Sequence, residues 1–205
     1  MRTSHKKIHK MIADEKSKIT DKEFFSSKAY EAYLMDIVET TMGRYKRKIK
    51  IRTRWDETPG ADIAYTDNRV ISLNCGNYLT ESYPTRELKH ISLIGFTGHE
   101  AAHILYTDFS TLLLFIQAVD NGTMYPSMPD DLETEEQENL DNYLDVLSKK
   151  DEKVLCIIKY VLHSIANILE DCYVEGSMCT DFPGKFKTGI MLNNVKLTED
   201  VPSVS

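Results

Sequence analysis

The feature that most limits the fold of this chain is Gly98-His99-Glu100-Ala101-Ala102-His103, an H-E-x-x-H pattern within a segment of helical periodicity. Histidines four residues apart lie on one face of a helix, about 5–6 Å between Cβ atoms, so both imidazoles can reach one metal ion. Zinc suits neutral histidine nitrogens, and Glu100 is placed to contact a water on that metal. The pattern predicts a zinc-carrying helix with Glu100 as catalytic base; the alternative is a helix with two unrelated histidines.

The overall composition is that of an ordinary globular protein, with 41% apolar and 28% charged residues among 205. A net charge of -7 gives no basic excess for phosphates, so no nucleic-acid partner is expected. The sequence has no apolar run of eighteen residues, and its lysine-rich start lacks the apolar core of a secretory signal. We therefore expect a cytoplasmic protein that does not bind a membrane.

The four cysteines form no C-x-x-C pair, which predicts reduced thiols rather than a disulfide framework. Cys156 and Cys172 fall on the apolar side of a predicted helix, so they are expected in the core.

The first half of the chain predicts a helix followed by strands. A mobile segment over 1–20 leads into a helix over 21–42, with Asp21 as its cap and Gly43 as its end. Alternating residues predict strands over 48–55, 62–65 and 70–74, the last two joined by a turn at 66–69. We expect a small mixed or antiparallel sheet.

The second half is predicted to be helical. The motif helix extends from Pro84 to Tyr106, and its internal Gly95 and Gly98 predict close packing of another element. A helix over 109–119 precedes an acidic insertion at about 124–150, with a short helix near 140–147. A tail is expected over 196–205.

A long helix over 149–175 is predicted to begin with a capping box of Ser148 and Asp151. Its apolar residues recur at a spacing of four and three, which predicts one buried stripe. The stripe consists of Val154, Ile158, Val161, Ile165, Ile168 and Cys172.

The third zinc ligand should come from that helix, and Glu170 is the best candidate. Glu175 is the substitute ligand, while Asp171 or Asn167 could hold a ligating imidazole by its second nitrogen. The alternative for Glu170 is a solvated surface glutamate. His163 is either an oxyanion stabiliser or, preferably, a packed histidine.

A strand at the rim of the sheet could hold an extended substrate by main-chain hydrogen bonds. The candidate is the strand formed by Val70, Ile71, Ser72, Leu73 and Asn74. The alternative is an ordinary strand that has no contact with substrate.

The motif and residues 167–175 together resemble the gluzincin branch of zinc metallopeptidases. Residues 55–175 are similar to predicted bacterial and phage metallopeptidase-like domains that precede a von Willebrand A module and are related to a cobaltochelatase subunit. The resemblance implies His99, His103 and Glu170 as ligands and Glu100 as base. No such module follows here, which suggests a fragment or a stand-alone relative, and Val174 stands where thermolysin-type enzymes have Asp.

These observations predict one α+β domain over 21–195, of zincin-like fold, with a small β-sheet, the motif helix and a ligand-bearing helix around a zinc cleft. The expected function is peptide-bond hydrolysis with one Zn²⁺ per chain and a peptide or protein substrate. The alternative is a non-hydrolytic zinc-bearing domain that serves assembly or regulation beside a von Willebrand A or ATPase partner. A peptidase-like regulator that cleaves a single repressor is a third possibility.

Overall fold

The computed structural model describes residues 6, 10, 18–43, 48–121, 123, 130–149 and 151–199. The chain divides into two compact units, one formed by Met1–Tyr106 with Val174–Ser205 and the other by Thr107–Tyr173. The described residues combine helices with a three-stranded sheet, which confirms the predicted α+β class. The segment predicted to be mobile, 1–20, lies mostly outside the described residues, as does 200–205 of the predicted tail.

The helix predicted over 21–42 is instead two helices, α1 (Asp21–Phe25) and α2 (Lys28–Met42). The break occurs because the Ser27 hydroxyl accepts a hydrogen bond from a backbone N–H of α2 and begins a new helix. The amino-terminal cap of α1 is Thr20 rather than Asp21, in a capping box with Glu23.

One face of α2 forms part of the core of the first unit. Tyr30, Leu34 and Val38 recur every four residues and are at most 4% exposed. Gly43 ends this helix, as predicted.

Cys75 is buried in the same core, and burial raises the pKa of its thiol to about 12, so the thiol is protonated at neutral pH.

The sheet consists of β1 (Lys50–Arg54), β2 (Ala64–Thr66) and β3 (Val70–Asn74). Its order is β1-β3-β2; β1 is parallel to β3 and β2 is antiparallel to it, so the sheet is mixed. The predicted reversal between β2 and β3 is confirmed, and Asn68 occupies it with φ 69°.

The motif helix is present as predicted, as α4 (Arg86–Tyr106), and follows a short α3 (Tyr78–Glu81). The C-terminal helix α8 (Lys185–Thr198) packs along α4. Sequence reasoning did not predict α8, and it shows that the helical part of the chain extends beyond 195.

Close packing at the glycines of α4 is confirmed. A Cβ added to Gly95 would overlap the backbone carbonyl of Gly189 on α8, and one added to Gly98 would lie 2.7 Å from the ring of Phe186. The two helix backbones therefore touch at Gly95 and Gly189, where no side chain separates them.

Gly189→Ala should destabilise the fold by about 1–3 kcal/mol or more, because the new methyl group would lie 2.5 Å from the carbonyl oxygen of Ile91 and against the backbone of Gly95. Gly176→Ala is the matched control. Gly176 is also helical, but nothing lies within 4 Å of its added Cβ, so this change should stabilise by up to about 1 kcal/mol. Urea unfolding of both variants measures the difference, and equal effects would contradict the close contact.

The second unit contains α5 (Phe109–Asn121), α6 (Thr134–Ser148) and most of α7 (Glu152–Asp181). Asp151, rather than a box with Ser148, caps α7 through hydrogen bonds from two backbone N–H groups. Both α6 and α7 are longer than predicted, and α7 continues into the first unit from Val174 onward.

The predicted buried stripe of α7 is wrong over most of its length. Val161, Ile165 and Ile168 are 45%, 48% and 60% exposed, and Val154 and Ile158 are half-buried. Cys156 and Cys172 are exposed as well, contrary to their expected place in the core. Four-three spacing identifies an apolar helix face, and here no described residue covers much of that face.

Among the residues that the structure describes, no single helix is long and apolar enough to cross a membrane.

Candidate metal centre

His99 and His103 stand one turn apart on α4, and their imidazoles converge. Their Nε2 atoms are 3.2 Å apart, and the two rings are inclined at 80°. Two nitrogens bound to one tetrahedral zinc at 2.0–2.1 Å would lie about 3.3–3.4 Å apart. The observed separation is one that two ligands of a single metal ion would have, and an N–H···N hydrogen bond between the rings gives a similar distance.

Glu175 determines which nitrogen of His99 carries a proton. Its Oε1 lies 2.8 Å from His99 Nδ1, and an ionised carboxylate only accepts hydrogen bonds, so Nδ1–H is the donor. The lone pair of neutral His99 is then on Nε2, which points at His103. Carboxylates orient zinc-binding histidines in this way. The structure thus gives Glu175 the contact that sequence reasoning gave to Asp171 or Asn167.

Asn194 on α8 holds the Glu175 carboxylate from its other side. Its Nδ2 donates a hydrogen bond of 2.8 Å to Oε2, so each oxygen of Glu175 has a contact. His99 and Glu175 are only 23% and 21% exposed, which limits competition from water. The sequence analysis did not predict α8 and therefore did not identify Asn194. The available signal was Gly189, a second glycine that allows its helix to approach α4 at Gly95.

Glu100 is 6% exposed, and the adjacent Ala101 and Ala102 are fully buried in the core. Helical register places Glu100 three residues before His103, so their side chains are neighbours on the surface of α4. Glu100 is therefore a neighbour of His103 that is shielded from bulk water.

The remaining predicted groups on α7 belong to the second unit. Glu170 is half-buried and accepts a hydrogen bond from the hydroxyl of Thr107. Asn167 contacts Asp171 through an Nδ2–Oδ2 distance of 3.3 Å, and His163 is exposed, which disfavours its interpretation as a packed histidine.

The predicted substrate strand is in the wrong part of the sheet. β3, formed by Val70, Ile71, Ser72, Leu73 and Asn74, lies between β1 and β2 and pairs with both. An extended peptide cannot add to a strand whose two edges are already paired. The sequence analysis placed this strand at the edge of the sheet because the order in which strands pair depends on contacts between distant residues, which the local pattern does not reveal.

Comparisons with protein-family models, curated proteins and solved structures gave no match to this chain. Its function must therefore be inferred from its own side chains.

Proposed function

We propose that this protein is a zinc-dependent peptidase with one zinc ion per chain, of the zincin-like, gluzincin type that its motif resembles. The observation that carries the proposal is the 3.2 Å separation of the Nε2 atoms of His99 and His103, with Glu175 on the far nitrogen of His99. Metal-binding histidines usually donate the N–H of their second ring nitrogen to a carboxylate, as His99 does to Glu175.

For the third ligand we propose Asp171 in place of Glu170. Asp171 precedes Glu175 by one turn of the same continuous helix, so the two carboxylates share a face of α7. Glu170 points about 100° further around the helix and is engaged by Thr107. A set of two histidines and one carboxylate leaves the fourth position that a catalytic zinc needs.

When bound, the ion would supply Lewis acidity and lower the pKa of a water at the site to about 7. Glu100 would accept the proton of this water and deliver it to the leaving amine. Glu175 and Asn194 would keep the His99 ring in one orientation and one tautomer throughout.

A peptide substrate could add to β2, which is an edge strand in the described sheet and packs against α4. Ile63 and Asp67 make backbone hydrogen bonds to Asn74 and Val70 on β3. In an antiparallel pair these alternate, so the N–H and C=O groups of Ala64 and Thr66 point away from β3. These two residues would provide the main-chain contacts that were first expected of β3.

Zinc titration of Asp171→Ala beside Glu170→Ala tests the ligand assignment. Asp171→Ala should raise the zinc dissociation constant by roughly 100-fold or more, since a direct ligand is lost, whereas Glu170→Ala should change it by less than about 10-fold. Competition with a chromophoric chelator gives both values. The reverse ranking would return the ligand role to Glu170 and leave the two-histidine site intact.

A further inference from the structure

An exposed apolar stripe runs along α7 in the second unit. Ile157, Val161, Ile165 and Ile168 are 63%, 45%, 48% and 60% exposed, and Cys172 is exposed as well. At 100° per residue these five side chains fall within an arc of about 80°, so they form one face about 23 Å long. We define these five residues as the α7 stripe.

The α7 stripe is large enough to support an interface. Tyr160 and Leu169 flank it and are 74% and 65% exposed. Seven side chains that each expose on the order of 100 Å² offer roughly 700 Å² per copy, close to the 800 Å² or so that each partner buries in a stable complex. Isolated patches of this size on a monomer are uncommon.

The identity and spacing of the stripe residues favour another helix as the occupant. Val and Ile at three- and four-residue intervals are the pattern of a helix seam that packs by knobs into holes. The stripe contains no charged residue, so two copies of it can face each other without burying like charges.

The helix dipole of α7 favours the antiparallel orientation. A parallel pair places the two partly positive amino-terminal ends side by side and the two partly negative carboxyl-terminal ends likewise, whereas an antiparallel pair brings each amino-terminal end beside the carboxyl-terminal end of the second copy.

We propose that a second copy of this chain docks antiparallel along the α7 stripe and forms a two-fold dimer. Ile157 then faces Ile168 of the second copy, and Val161 faces Ile165 of the second copy. Each contact occurs twice, as a two-fold interface requires. The dimer does not depend on zinc or on hydrolysis, so it can fail or succeed independently of the proposed function.

Light scattering after size-exclusion chromatography tests the dimer with the full chain. The wild type should be dimeric at micromolar concentration, and Ile165→Glu should weaken association by roughly 100-fold or more because the charge enters the interface twice. Cys156→Glu adds the same charge at an exposed position outside the stripe and should leave the dimer unchanged. Circular dichroism would show whether each variant is folded; a monomeric wild type, or a dimer that survives Ile165→Glu, would overturn the proposal.

The orientation is tested with a spin label on Cys172. Cys156 and Cys179 are replaced by serine, and Cys75 is buried. With the two-fold axis near residue 163, the antiparallel dimer separates the two Cys172 positions by about 27 Å along the helix axis, whereas a parallel dimer brings them within about 10 Å. Electron paramagnetic resonance distances near 10 Å would overturn the antiparallel arrangement.

Discussion

His103→Ala should leave the protein folded and almost free of zinc, with the zinc dissociation constant raised by roughly 1,000-fold or more. His103 supplies one of the two converging Nε2 atoms, and without it only His99 and a carboxylate would be left to hold the ion. Zinc per chain, measured by mass spectrometry after dialysis, should fall from about one to nearly none. Zinc should also raise the unfolding temperature of the wild type but not of the variant, because an ion that binds only the folded state stabilises it.

His163→Ala is the control for this experiment, since His163 is an exposed histidine of α7 and should not affect zinc content. A wild type that takes up no zinc after reconstitution would show that the 3.2 Å contact is a hydrogen bond between two packed imidazoles. Equal zinc in His103→Ala and the wild type would place the ion elsewhere.

Glu100→Gln should retain zinc but lose peptide hydrolysis by about 10²–10⁴-fold, because the amide keeps the shape of the carboxylate and cannot accept the proton of water. Cleavage of a peptide library, followed by mass spectrometry, compares the variant with the wild type. Glu87→Gln provides a matched control, since Glu87 is an exposed glutamate on the same helix.

Comparing the wild type with Glu100→Gln in this assay distinguishes a peptidase from a non-hydrolytic zinc-bearing domain. Full hydrolysis by Glu100→Gln would show that another group acts as base. A zinc-loaded wild type that cleaves nothing would favour the non-hydrolytic domain that works beside a von Willebrand A or ATPase partner, for which the ligands are needed and Glu100 is not.

The local features of the fold could be predicted from sequence. The helical setting of His99 and His103, the turn between β2 and β3 and the close contact at Gly95 each depend on residues only a few positions apart or on one residue's missing side chain. These features could be predicted because each follows from the geometry of a short stretch of chain.

The features that were missed depend on distant residues. Asn194 reaches Glu175 only because α8 packs against α4, and β3 is central only because β1 pairs with it although β2 lies between them in sequence. The buried stripe predicted on α7 shares Val161, Ile165, Ile168 and Cys172 with the exposed α7 stripe. Its period identified an apolar face but did not specify what covers that face. The order in which strands pair and the residues that cover an apolar face are both set by the tertiary fold. Patterns of nearby residues in the sequence do not specify either of them.

The contact between Gly95 and Gly189 also affects when the candidate metal centre can form during synthesis. These glycines are roughly ninety residues apart, and the second unit is translated between them. At translation rates of about 5–20 residues per second, α8 is synthesised roughly 5 to 20 s after the motif helix. Until then, no Asn194 is available to hold Glu175. The hydrogen bond from Asn194 that holds Glu175 beside His99 can therefore form only after α8 has been synthesised.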